Sequence, residues 1–344
     1  MSSVIYRLQS PVRQHKVQPA ANNQAMYQER LVARHETIAL RGMPCHLRHW
    51  GPADSSLAPL VLLHGWMDVA ASWQFAVDAL SSAFTQGRRI IAPDWRGFGL
   101  SMPEQRVDCY HFPDYLADLD ALLDQVAGDA PIDLVGHSMG GNIAMMYAGA
   151  RPARIRRLVN LEGFGLPATR PAQAPGRYAQ WLDELRRQRQ GELALKTYAS
   201  PEGVAERLMK TNPRLPADKA AWLARHWARQ GSDGRWHILG DAAQKVISAQ
   251  LYRVDEALAL YAAITAPVLS VVADHDSLAQ WWKDRFTLQE FHERTRHVRQ
   301  LTSATVKDAG HMLHHDQPQA VAGLIEDFLV QSARTAMPAN TSSY

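Results

Sequence analysis

Short apolar runs alternate with longer amphipathic stretches along most of the chain. Pro59-Leu-Val-Leu-Leu-His64, Arg89-Ile-Ile-Ala-Pro93, Ile132 to Val135, Arg157-Leu-Val-Asn-Leu161 and Pro267-Val-Leu-Ser-Val-Val272 are too short for helices. They read as buried strands, followed by one more near Ala304 to Lys307. Upstream, Arg30 to Leu40 and Cys45 to Trp50 resemble an antiparallel pair around Arg41-Gly-Met-Pro44. Between the strands, helical patterns run from Trp73 to Ala83, Phe112 to Ala127 and Asn142 to Ala150, and a long amphipathic one from Gln317 to Val330. Apolar strands alternating with helices predict an α/β protein with a mostly parallel sheet covered on both faces.

One segment breaks the alternation. From about Gly163 to Leu260 no convincing strand occurs. Helical patterns, proline breaks and Trp181, Trp222, Trp227 and Trp236 fill it instead. It reads as a helical insertion, a cap that shapes substrate choice, with most of its tryptophans packing its own small core. The expected organisation is a polar leader or surface-packed arm at 1–29, a core at 30–162 and 261–332, a helical cap at 163–260 and a tail at 333–344. No internal repeat is visible.

The 344 residues, 46% of them hydrophobic, suffice for a large core. The formal charge is only +3 with signs interspersed, and no basic stripe carries interleaved aromatics, so no nucleic-acid partner is expected. Arg186-Arg-Gln-Arg189 reads as a solvated helix face. Cys45 and Cys109 lie far apart without ligand spacing, which predicts free thiols and no metal site. The first residues show neither an apolar signal core nor a cleavage site, and no apolar run approaches the ~20 residues of a membrane span. A cytoplasmic, cofactor-free protein is the expectation; oligomeric state is not legible.

The chemistry concentrates at Asp133-Leu-Val-Gly-His-Ser-Met-Gly-Gly141. A Gly-x-Ser-x-Gly pentapeptide between a strand and a helix is a nucleophile elbow. Its turn is so tight that only small residues fit at Gly136 and Gly140, and Ser138 is held strained and exposed. The Met139 N–H, at the start of the next helix, faces negative charge. A second oxyanion donor is expected from the loop after an early strand, where His64-Gly-Trp66 places the Trp66 N–H. The Trp66 side chain, with His137, would line the substrate site, whereas His64 reads as a buried imidazole bonded to nearby backbone.

A serine needs a base, and the base needs an orienting acid. Asp308-Ala-Gly-His311-Met-Leu-His-His-Asp316 places His311 after a late strand and a glycine, with His314 and His315 as competitors. For the acid, Ala273-Asp-His-Asp276 offers Asp276 as first choice, in the chain order Ser, Asp, His. Glu162, ending the strand after the elbow helix, is the alternative acid. Asp274 is a third candidate, whose other role is to bind loop N–H groups.

With Leu62-Leu-His-Gly-Trp66, Asp94-Trp-Arg-Gly-Phe-Gly-Leu-Ser101, Gly136-His-Ser-Met-Gly140 and Gly310-His311 in this order, the chain resembles the α/β-hydrolase superfamily from about residue 30 to 332. Its closest flavour resembles the serine hydrolase-like branch. The resemblance implies the α/β-hydrolase fold: an eight-stranded, mostly parallel sheet flanked by helices, with a helical cap between the sixth and seventh strands. It also implies cofactor-free chemistry and a structural role for the Asp94 loop. The acid loop departs from the family's frequent Gly-x-x-Asp. Members similar to haloalkane dehalogenases take their acid at the Glu162 position, but they and epoxide hydrolases use an aspartate nucleophile, which Ser138 argues against. The expected activity is hydrolysis of a small carboxylic ester with an apolar part. Carbon–carbon bond hydrolysis or another cofactor-free reaction on the same triad, or a ligand receptor with little turnover, are the alternatives.

Overall fold

The computed structural model describes residues 26–330. β1 (Arg34–Leu40) and β2 (Met43–Trp50) form an antiparallel hairpin, closed by Arg41 and Gly42 at φ +50° and +79°. Two consecutive positive φ values match the twist of the flanking strands. β3 (Leu60–Leu63), β4 (Ile90–Pro93), β5 (Ile132–His137) and β6 (Ile155–Leu161) follow. Then come β7 (Thr197–Tyr198), β8 (Ala228–Gln230) and β9 (Trp236–Ile238), and finally β10 (Val268–Ala273) and β11 (Leu301–Val306). Eight of these make one sheet in the order β1-β2-β4-β3-β5-β6-β10-β11. Only the pairings of β2 with β1 and β4 are antiparallel.

The sheet is buried on both faces because alternate side chains feed two separate cores. Leu60 and Leu62 join Trp73, Val77 and the final helix Pro318–Val330 on one side. Val61 and Leu63 join the helices Phe112–Ala127 and Met139–Ala150 on the other. This two-sided covering is why the strands read as continuous apolar runs rather than as alternation.

The insertion between β6 and β10 is not purely helical. Beside the helices Ala174–Arg189, Pro201–Thr211 and Ala217–Trp227 it carries a small antiparallel sheet in the order β7-β9-β8. Strands of two or three residues are too short to leave a periodic signal. Trp222 and Trp227 are buried in a cluster with Val204, Leu208 and Leu223, the packing role expected of them. That cluster also takes in Val69, Ala71 and Phe75 of the core, so cap and core share one apolar seam.

The leader at 1–29 lies mostly outside the described residues. Its last part is packed: the Tyr27 ring meets Phe75 at 4.9 Å and Trp222 at 5.6 Å, and Glu29 accepts the Trp222 indole N–H at 3.1 Å. The tail at 333–344 also falls outside. Among the described residues, no helix is long and apolar enough to cross a membrane.

Candidate active site

Ser138 follows β5 directly and caps the helix Met139–Ala150 with φ +53° and ψ −116°. A non-glycine residue pays for that conformation only where the surroundings enforce it. They do so here: a Cβ on Gly136 would stand 2.3 Å from the Gly140 carbonyl oxygen, and one on Gly140 2.3 Å from that of Leu63. The elbow expected from the pentapeptide is therefore present, and it turns the Ser138 hydroxyl out of the sheet.

His311 lies in the loop after β11, half-buried, and its Nε2 is 2.9 Å from Ser138 Oγ. Its Nδ1 is 3.1 Å from Glu162 Oε2. Glu162 is buried at the end of β6 with φ +54°, and its other oxygen accepts the Ala273 N–H at 2.8 Å. With Glu162 ionised, Nδ1 carries the ring hydrogen and the Nε2 lone pair faces the serine. Burial pushes the His311 imidazole down to about 3 and the Glu162 carboxyl up to about 7. The histidine is thus neutral, with Nε2 directed at the serine hydroxyl.

The acid expected first, Asp276, is elsewhere. It is the N-cap of the helix Ser277–Trp282, its Oδ1 accepting the Ala279 N–H at 3.0 Å. A short carboxylate immediately before a helix satisfies an orphan N–H, and the imidazole Nδ1 pairs with Glu162 instead. Its charge still opposes ionisation of Glu162. Asp274 also does structural work, accepting the Asp308 and Ala309 N–H groups at 3.0 and 3.1 Å and so shaping the loop that carries His311.

Gly65 approaches the nucleophile closely; a Cβ there would be 3.2 Å from the Ser138 Cβ. This brings the Gly65 backbone beside the serine. The Trp66 side chain, on the same loop, is 52% exposed. Trp281, unnoticed in the sequence, is 44% exposed and sets its ring edge-on to His311 at 4.4 Å between centroids. Phe164 lies parallel to the same imidazole at 6.5 Å. Neither carries a motif, so no sequence signal points to them.

His137 does not line the substrate site as expected. It is buried, and its Nε2–H donates to the His311 carbonyl oxygen at 2.7 Å, fixing the backbone of the base. His64 behaves as read: Nδ1–H donates to the Gly65 carbonyl at 2.7 Å and Nε2 accepts the Trp95 N–H at 2.9 Å. His314 and His315 are buried behind His311. The Asp94 carboxylate ties its own loop together, accepting from Ala70 N, Leu100 N and His46 Nδ1. A cavity under β1 and β2, lined by Cys45, Asp94, Trp95 and Ser101, includes no residue of this site.

A sheet of this order with a serine on a strained strand-to-helix turn defines the α/β-hydrolase class of proteins. The family model described as alpha/beta hydrolase fold matches residues 58–318, and the chain belongs to that family. It is 24% identical over 286 residues to a serine hydrolase-like protein of Danio rerio, covering 81% of this chain and 83% of that one. It is 31% identical over 242 residues to a putative carbamate hydrolase of Variovorax paradoxus, covering 70% of this chain and 81% of that one. Among solved structures, the thioesterase domain from the curacin biosynthetic pathway superposes with a TM-score of 0.71 at 24% identity, over 86% of this chain and 99% of that chain.

Proposed function

We propose that the protein is a serine hydrolase acting on small carboxylic esters through Ser138, His311 and Glu162. The observation that carries the proposal is the continuous relay from Ser138 Oγ to His311 Nε2 at 2.9 Å and from His311 Nδ1 to Glu162 at 3.1 Å. Ser138 attacks the acyl carbon while His311 takes its proton and then delivers it to the leaving alcohol. Glu162 holds the imidazole in the required tautomer and stabilises its positive charge. The oxyanion is held by the N–H groups of Met139, at the helix N-terminus, and Trp66, which follows Gly65. His311 then activates water to release the acid. Trp281, exposed against His311, and Trp66, exposed on the loop beside Ser138, favour an apolar acyl or alcohol group. The relative named as a carbamate hydrolase supports acyl chemistry over other uses of the fold.

The test is labelling with a fluorophosphonate and mapping of the modified residue. Rapid labelling at Ser138, lost in Ser138→Ala and His311→Ala, is expected. On a responsive ester, Ser138→Ala should lower kcat by about 10³-fold or more. Folded wild type that neither labels nor turns over an ester or carbon–carbon substrate would sink the proposal and leave a receptor on a hydrolase fold.

A further inference from the structure

A second polar cluster lies directly behind the triad and takes no part in it. Asp68, in the loop after β3, His137, at the end of β5, and His314, in the short helix Leu313–Asp316, are all buried. One potential ligand atom from each lies within 4.8 Å of the other two. Each residue also has an atom to spare: Asp68 Oδ2, His137 Nδ1 and both ring nitrogens of His314 are buried without a hydrogen-bond partner. A buried polar atom left unpaired costs about 1–3 kcal/mol, so several in one place call for a common occupant.

The other atoms of two of these side chains are already anchored. His137 Nε2–H donates to the His311 carbonyl at 2.7 Å, which leaves the Nδ1 lone pair free. Asp68 Oδ1 accepts the Trp227 indole N–H at 3.1 Å and the Ser72 hydroxyl. A ligating imidazole that gives its second N–H to a backbone carbonyl, and a ligating carboxylate that is itself hydrogen-bonded, are the outer contacts of metal sites.

Charge separates a cation from a water here. Among the described residues Asp68 makes no ion pair, and a buried carboxylate without a counter-charge is costly. The His314 ring stands 4.4 Å from His137 and 4.3 Å from His315. Two imidazoles and a carboxylate suit a zinc-like ion, whose bonds of roughly 2.0–2.2 Å would draw the three ligand atoms closer together than the 4.8 Å that bounds them here.

We propose that Asp68, His137 and His314 bind one divalent transition ion, which locks the His137 tautomer that holds the His311 backbone. The site is independent of the substrate assigned to Ser138 and stands or falls without it. The test uses the full chain, stripped with a chelator, exposed to excess Zn²⁺ and desalted before elemental analysis. Retention of one equivalent and a rise in melting temperature are expected. Asp68→Asn and His314→Gln should each abolish both, while His226→Gln, in the separate histidine cluster near Arg48, should retain both. Zinc-edge absorption on the unmutated protein should show two imidazoles and no sulfur, and it needs no variant to fold. Failure of wild type to retain zinc, retention in both site variants, or a first shell with fewer than two imidazoles would each overturn the proposal.

Discussion

At the scale of single residues, the outcome turns on which carboxylate meets the imidazole. Asp276 follows the late strand in the expected chain order, yet it spends its oxygen on the Ala279 N–H, and Glu162 faces His311 Nδ1. Glu162→Gln should therefore lower kcat by about 10²–10⁴-fold with the fold intact. Asp276→Ala should leave kcat within a few-fold and cost about 1 kcal/mol of stability through the lost cap. Ester kinetics and urea unfolding on both variants decide it, and the reverse pattern returns the acid role to Asp276. The pH profile adds an independent check. The proposed reaction requires Glu162 ionised and His311 neutral, so the pair must have lost both protons. The higher of the two values, Glu162 at about 7, then sets the acid limb: kcat/KM climbs as pH rises through about 7 and levels above it. In Glu162→Gln only His311 titrates, and burial holds it low, so the residual activity should keep its plateau to below the usual imidazole value of ~6.5. A limb that does not move would argue against a coupled pair.

At the scale of elements, the elbow was legible because its constraint is local. Two glycines flanking a serine across a strand-to-helix turn form a local pattern, and the clash that excludes a Cβ from Gly136 lies within the turn, whereas the one at Gly140 comes from β3. Gly140→Ala should cost about 3 kcal/mol, since backbone rather than a mobile side chain stands 2.3 Å from the new atom. A urea midpoint equal to wild type would refute that reading. The strands of the main sheet were legible for a similar reason: burial on both faces writes itself as an apolar run, as in Leu60 to Leu63. What stayed hidden was set by contacts distant in sequence. Glu162 reaches His311 across 149 positions, and Trp281 reaches it from a short helix without a motif. The two- and three-residue strands of the cap carry too few side chains to show a period. His137 resembled a substrate contact because it adjoins Ser138, but it is buried and bonded to the His311 carbonyl.

At the scale of the molecule, the cap is tied to the catalytic loop as well as resting on the core. Asp316, three helical positions beyond Leu313, accepts the Gly310 N–H at 2.8 Å with one oxygen and the amide of Asn212 in the cap at 2.7 Å with the other. The apolar seam does the larger part of the joining. Phe75, 2% exposed, lies on a core helix, yet its ring meets Trp222 of the cap at 5.6 Å and His315 behind the catalytic loop at 5.4 Å. Loss of that ring removes contacts from core, cap and base loop together, and burial on this scale costs about 3–5 kcal/mol when a phenylalanine is cut to alanine. If the seam makes cap and core one cooperative unit, tryptophan fluorescence and far-ultraviolet dichroism should report a single coincident unfolding transition. In Phe75→Ala that transition should move to lower denaturant as a whole, without splitting. Two separated transitions in the wild type, or a cap that melts early while ester turnover persists, would show that the cap stands on its own core and meets the catalytic domain only as a lid.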